Sequence, residues 1–177
     1  LSCDLFDGNY KDSLDAALAV EVFHNFSLVH DDIMDEAPLR RGNQTVHQKW
    51  DLSTAILSGD VMLILAYQLF ENYNKNIFVA LAKLFSKTAV EVCEGQQLDI
   101  DFSKLNDINS TKYLNMVELK TAVLIGASMK MGAIVAKASD NEQENIYEFG
   151  KNLGIAFQIQ DDFLDSFGDE KKFGNVI

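Results

Sequence analysis

The stretch DSLDAALAVEVFHNFSLVHDDIMD, residues 12–35, decides how this chain folds. Its apolar residues recur at helical spacing, with Leu14, Leu18, Val22, Phe26 and Val29 marking one broad face, so a helix is expected from residue 12 to about 34. The stretch closes on three aspartates. Asp31 and Asp35 stand four residues apart and so share a helical face, with Cβ atoms roughly 5–6 Å apart. Beyond them Pro38 and Gly42 end the regular pattern, and the helix is expected to lead into a polar loop.

The same spacing continues down the chain. Ser53 or Thr54 is expected to cap a helix whose apolar run, residues 55–70, is dense enough for burial on nearly all sides. Further helices are expected over residues 78–98, ending at Asp99 and Asp101, from Ser110 or Thr111 to about 138, and from 143 to about 167, with a polar turn over 139–144. No strand-like alternation of useful length occurs. One proline and 10 glycines leave few breakers, so the expected fold class is all-α, in a single domain over residues 1–177.

A net charge of −12 argues against a nucleic-acid partner, which needs clustered Lys and Arg. Excess carboxylate either solubilises a surface or collects cations. Cys3 and Cys93 are too few for a disulfide framework; Cys93 lies in an apolar-periodic segment where a buried free thiol is expected, and a reducing, cytosolic setting fits. No apolar stretch is expected to reach the length of a membrane span, and no secretory signal opens the chain. The chain opens at Leu1 almost within the apolar pattern of Leu14, Ala17, Leu18 and Val22, so further sequence is expected at both ends.

One acidic pattern occurs twice. Asp31-Asp32-Ile33-Met34-Asp35 and Asp161-Asp162-Phe163-Leu164-Asp165 are both Asp-Asp-x-x-Asp. Like charges four residues apart on a helix cost about 0.2–0.5 kcal/mol per exposed pair, and more when partly buried. A lone pattern of this kind is usually a solvated helix end. These two sit in apolar surroundings, behind Phe26, Leu28 and Val29 in one case and Ile155, Phe157 and Ile159 in the other, and so should face a cavity between helices. Magnesium takes oxygen ligands, keeps several waters and is commonly completed by phosphates. Two facing clusters could hold a diphosphate between them through such ions.

A diphosphate also needs fixed positive charge. Arg40 and Arg41 follow the first cluster, where a loop could turn their guanidinium forks to phosphate oxygens. Their ordinary alternative is a surface ion pair with Asp35 or Glu36. Lys120, beside Thr121 and between apolar residues, is a second candidate.

With these residues in view the sequence strongly resembles the polyprenyl synthase family, the trans-isoprenyl diphosphate synthases. The resemblance runs in order through Asp31 to Asp35 with Arg40-Arg41-Gly42, Thr45-Val46-His47, Gly59-Asp60, Gly95-Gln96-Gln97-Leu98-Asp99, Lys120-Thr121 and Phe157-Gln158-Ile159-Gln160-Asp161-Asp162. It implies an isoprenoid synthase-type helical bundle around a central cavity, present here as a partial domain. The family's upstream Gly-Lys-Arg motif and its C-terminal helical portion are not in this sequence, and residues 171–177 match only in part. By resemblance, Asp31, Asp35, Asp161 and Asp165 hold about three magnesium ions, with Asp32 in support. Arg40, Lys120, Thr121 and Gln158 serve the allylic diphosphate and Arg41 the isopentenyl diphosphate, while Gln96 and Asp99 act nearby and His47 completes the hydrogen bonding of the diphosphate pocket. A homodimer is implied in the same way.

The resemblance implies a short-chain prenyltransferase that condenses isopentenyl diphosphate with an allylic diphosphate to farnesyl or geranylgeranyl diphosphate. The alternatives are a class I terpene cyclase, whose second metal motif is normally of another kind, and a non-catalytic subunit, which would be expected to lose a cluster. In the family the growing chain descends along the helix of the first aspartates, and bulky residues form its floor. Phe26, small Ser27 and Phe23 are the candidates, rotated about 140°, 40° and 80° from Asp31 on an ideal helix.

Overall fold

The computed structural model describes residues 1–105 and 107–167, most of them helical. In order come α1 (Ser2–Leu5), a 3-10 turn (Tyr10–Ser13), α2 (Leu14–Met34), a hairpin of β1 (Leu39–Arg40) and β2 (Asn43–Gln44), and α3 (Val46–Lys49). Then follow α4 (Leu52–Leu69), α5 (Lys75–Phe102), α6 (Ser110–Val117), a π turn (Glu118–Ala122), α7 (Val123–Val135) and α8 (Asp140–Phe167). The all-α expectation holds.

Both ends of α2 are fixed by specific bonds. At its start the Tyr73 hydroxyl accepts from Ala16 N at 3.0 Å and donates to the Asp12 carbonyl at 2.8 Å, so a distant side chain fills one orphan donor. At its end Glu36 turns left-handed (φ 51°). Its N–H reaches the Ile33 carbonyl and that of Ala37 the Asp32 carbonyl, the two-bond closure that stops a helix. The stop therefore lies at Glu36, ahead of the expected breakers. Arg41 and Gly42 both have positive φ, 52° and 77°, as a two-residue hairpin turn requires. Thr45, donating from Oγ1 to the Ala37 carbonyl at 2.7 Å, staples that hairpin to the end of α2.

The buried residues of α2 are Ala16, Ala19, Phe23, Phe26 and Asp32, whereas Leu14 and Leu18 are about half exposed. The face expected from Leu14, Leu18, Val22, Phe26 and Val29 is thus rotated, because small alanines allow close helix approach. α2 packs on α4 through the same device: a Cβ on Gly59 would lie 2.3 Å from His30 Nε2. Phe23, Phe70 and Phe85 are fully buried and meet edge to face, with Phe23 and Phe85 centroids 5.0 Å apart and Phe70 and Phe85 5.2 Å apart. Such pairs contribute about 0.5–1.5 kcal/mol beyond their area.

Two expectations for α4 are corrected. Asp51, with extended backbone, caps the helix by accepting from Thr54 N at 2.7 Å, in place of Ser53 or Thr54. Only Ala55, Gly59 and Ala66 are buried along it; Leu57, Val61 and Ile64 form an exposed stripe. Residues Leu52–Asn72 are also long and apolar enough to cross a membrane, by length and composition alone, which the sequence reading had not expected. Polar caps Asn74 and Asn109 start α5 and α6.

The remaining packing encloses the site. α7 lies against α8, α5 lies against α7 and the π turn, and α8 covers the other side of that turn.

Candidate active site

One aspartate from each cluster, Asp31 and Asp161, faces a cavity of about 760 Å³ walled by α2, α5, the π turn, α7 and α8. Asp31 and Asp161 both line it, with Arg40, Arg41, Lys120, Thr121, Gln96 and Gln158. The sequence led us to expect both patterns to face a cavity between helices, and the structure places the leading aspartate of each there.

Asp31 is held by two cations. Arg40 Nη2 donates to its Oδ2 at 3.2 Å, and Lys120 Nζ lies 3.6 Å from its Oδ1. That Oδ1 is buried and accepts no hydrogen bond. Asp32, buried beneath, accepts from Arg40 Nε at 2.7 Å. Arg40 therefore pairs with Asp31 and Asp32, and not with Asp35 or Glu36. Asp35 closes the helix nearby; its pKa is raised by burial first and then by the Asp31 charge.

Lys120 Nζ also donates to Asp99 Oδ2 at 2.6 Å. Burial works against its charge, yet the Asp99 hydrogen bond and the charges of Asp31, Asp99 and Asp35 outweigh it and hold the pKa above the ordinary lysine value. Lys120 and Thr121 sit in the π turn, a form of helix that collects at functional sites. The turn is gripped on both sides. A Cβ on Gly95 of α5 would lie 2.2 Å from Lys120 N, and one on Gly154 of α8 would lie 2.7 Å from Ala122 Cα. Gln96, one residue on from Gly95, presents a buried Nε2 with no acceptor.

At the second cluster Thr121 Oγ1 donates to Gln158 Oε1 at 3.0 Å, and Gln158 Nε2 donates to Asp162 Oδ1 at 2.8 Å. The Tyr113 hydroxyl donates to the other Asp162 oxygen. The side chain of Asp165 and residues 171–177 lie outside the described residues.

Some expected residues are placed elsewhere. His47, on one-turn α3, has both ring nitrogens buried without a partner and is absent from the cavity wall, because α3 packs on α4. Phe26 and Ser27 line the cavity, but Phe23 does not; it lies in the aromatic core, 5.4 Å from the Phe26 ring. His24 and Val20 line the wall in its stead. An ideal wheel rotates both about 20° from Asp31, a signal the sequence carried. Cys93, expected buried, is exposed on α5 and borders the cavity, where partial burial and the Glu94 charge push its thiol pKa up. Tyr113 was missed altogether, although it precedes Lys120 by seven residues, about two helical turns.

Comparison with known proteins follows the same outline. The polyprenyl synthetase family model matches residues 1–177. A geranylgeranyl diphosphate synthase of Sulfolobus acidocaldarius is 41% identical over 181 residues, which is 100% of this chain and 55% of the relative. A crystal structure of a geranylgeranyl pyrophosphate synthase is 58% identical and superposes with a TM-score of 0.94 over 98% of this chain and 53% of that one. A geranyltransferase from Helicobacter pylori, solved with magnesium and isoprenyl diphosphate, is 35% identical with a TM-score of 0.84, over 92% of this chain and 56% of that one. The chain thus spans about half the length of the relatives it matches.

Proposed function

Because the chain belongs to the polyprenyl synthetase family, we propose that the protein joins isopentenyl diphosphate to an allylic diphosphate, releasing diphosphate and giving farnesyl or geranylgeranyl diphosphate. The observation that carries this reading is the convergence of Asp31 and Asp161 on one cavity that also holds Arg40, Arg41 and Lys120. Two intact aspartate clusters favour chain elongation over cyclisation or a non-catalytic role.

Magnesium fits the residues present. Asp31 Oδ1 is buried and lacks a hydrogen bond, and among the described residues no three His, Cys, Asp or Glu side chains converge to hold a metal unaided. That donor set suits an ion that takes one or two carboxylates and completes its shell with water and phosphate oxygens. Asp31 and Asp35 at the first cluster and Asp161 and Asp165 at the second would hold separate ions of this kind, and the Helicobacter relative's magnesium supports the choice. Bound there, magnesium would supply the charge that makes the diphosphate a competent leaving group.

The chain's own groups do the rest. Lys120, kept cationic by Asp99, points its charge at the allylic diphosphate, and the orphan Gln96 Nε2 offers a donor to the same oxygens. Arg40 fixes the first cluster, and Arg41 reaches the isopentenyl diphosphate. Apolar wall residues such as Val92, Leu124 and Ile125 keep water from the allylic cation formed when the C–O bond breaks. The isopentenyl double bond attacks that cation, and the departing diphosphate takes the proton. Phe26 and Ser27 limit product length from the wall.

The exposed stripe Leu57, Val61 and Ile64 of α4 is read as the face for a second copy of the chain, and two free cysteines accord with a cytoplasmic setting. Incubation of purified protein with labelled isopentenyl and allylic diphosphates tests the reading. A longer linear diphosphate is expected; a hydrocarbon product or none would refute it.

A further inference from the structure

Asp162 stands between two donors. Tyr113, on α6, gives its hydroxyl proton to Oδ2, and Gln158, one turn earlier on α8, gives an Nε2 proton to Oδ1 at 2.8 Å. Gln158 in turn accepts from Thr121 Oγ1 at 3.0 Å, so the network links α6, α8 and the π turn. Each member has its direction fixed. A carboxylate only accepts, so the Gln158 amide must turn its nitrogen to Asp162 and its oxygen to Thr121. A flipped amide would set oxygen against carboxylate.

Asp162 is also separated from its neighbour in the motif. Asp161 lines the cavity, whereas Asp162 does not. Its two oxygens already have donors.

We propose that Tyr113 is a positioning residue: its hydroxyl holds Asp162 as a fixed acceptor, and through Asp162 it orients Gln158 and Thr121 at the cavity wall. The middle aspartate of the second cluster then serves the site through Gln158 and not as a cation ligand. The inference rests on the reading of this cavity as the allylic diphosphate site. The Tyr113 hydroxyl is suited to a permanent donor, since its pKa is pushed up to about 12, by burial first and then by Asp162.

Tyr113→Phe removes the hydroxyl alone. In the wild type the Gln158 side-chain amide should give two well-separated proton signals. In Tyr113→Phe they should collapse to the values of a solvent-exposed glutamine, with the backbone amide pattern of α2 retained. The Michaelis constant for the allylic substrate should rise roughly tenfold, and that for isopentenyl diphosphate should stay within about twofold. Asp162→Asn should have the same effect, and the double variant should be no worse than the worse single one. Unchanged Gln158 signals in Tyr113→Phe, equal rises in both Michaelis constants, or losses that multiply in the double variant would overturn the proposal. A wild type without turnover would count against the reading of the cavity, and the Gln158 signals would still decide the role of Tyr113.

Discussion

Arg41 occupies a left-handed backbone position at φ 52°, a place where non-glycine residues are strained by about 1–3 kcal/mol. Its side chain lies on the cavity wall. Arg41→Gly should therefore raise stability, by an amount on the order of 1 kcal/mol, while raising the Michaelis constant for isopentenyl diphosphate. Lys120→Ala should weaken the allylic substrate instead. Denaturant melts with kinetics on both substrates check this, and equal kinetic effects of the two variants would count against separate sites. Asp31, Asp161 and Lys120 were legible because duplicated acids and a lysine in apolar sequence have few structural uses, whereas Gln158 came only with the family resemblance. Tyr113 was not, since an exposed-looking tyrosine gives no hint of a partner on another helix. His47 misled for the opposite reason: motif position alone says nothing of which way a one-turn helix faces.

The helices themselves were readable wherever apolar periodicity was strong, as in α2 and α5. Their ends were less so, because caps such as Asp51 and the left-handed Glu36 depend on backbone turns that periodicity does not report. The π turn at Lys120 was invisible for a related reason: it is set by glycines on two neighbouring helices. Gly95→Ala should push that turn away, costing about 1–3 kcal/mol of stability and more activity than the stability loss explains. Wild-type turnover in this variant would mean that the turn tolerates displacement. At the start of α8, Ser139 donates from N and Oγ to Glu142 Oε2 at 2.8 and 2.7 Å, a capping box. These bonds lower the Glu142 pKa, the side-chain bond most. The folded value lies below the unfolded one, so the capping contribution is present above the ordinary glutamate value and is lost as pH falls through the folded value. Carbon-detected titration of Glu142 should give a midpoint below 4.5, and Ser139→Ala should return it upward; an unmoved midpoint would dissolve the box.

For the whole molecule, the all-α class followed from composition and spacing and the bundle around a central cavity from the family resemblance, but the outward face of α4 followed from neither. Density of apolar residues cannot distinguish a buried helix from one that meets another subunit. Val61→Glu, in the middle of the exposed stripe, should convert a dimer to a monomer in light scattering with the helical spectrum kept. A wild type that is already monomeric would refute that assignment. The central claim is that the two aspartate clusters clamp one diphosphate across the cavity through metal ions. It is tested most directly by crystals of the protein soaked with manganese and an allylic thiolodiphosphate that resists ionisation. Anomalous peaks are expected beside Asp31 and Asp35 and beside Asp161, with the diphosphate between them. Metal at one cluster only, or a diphosphate bound away from both, would contradict it.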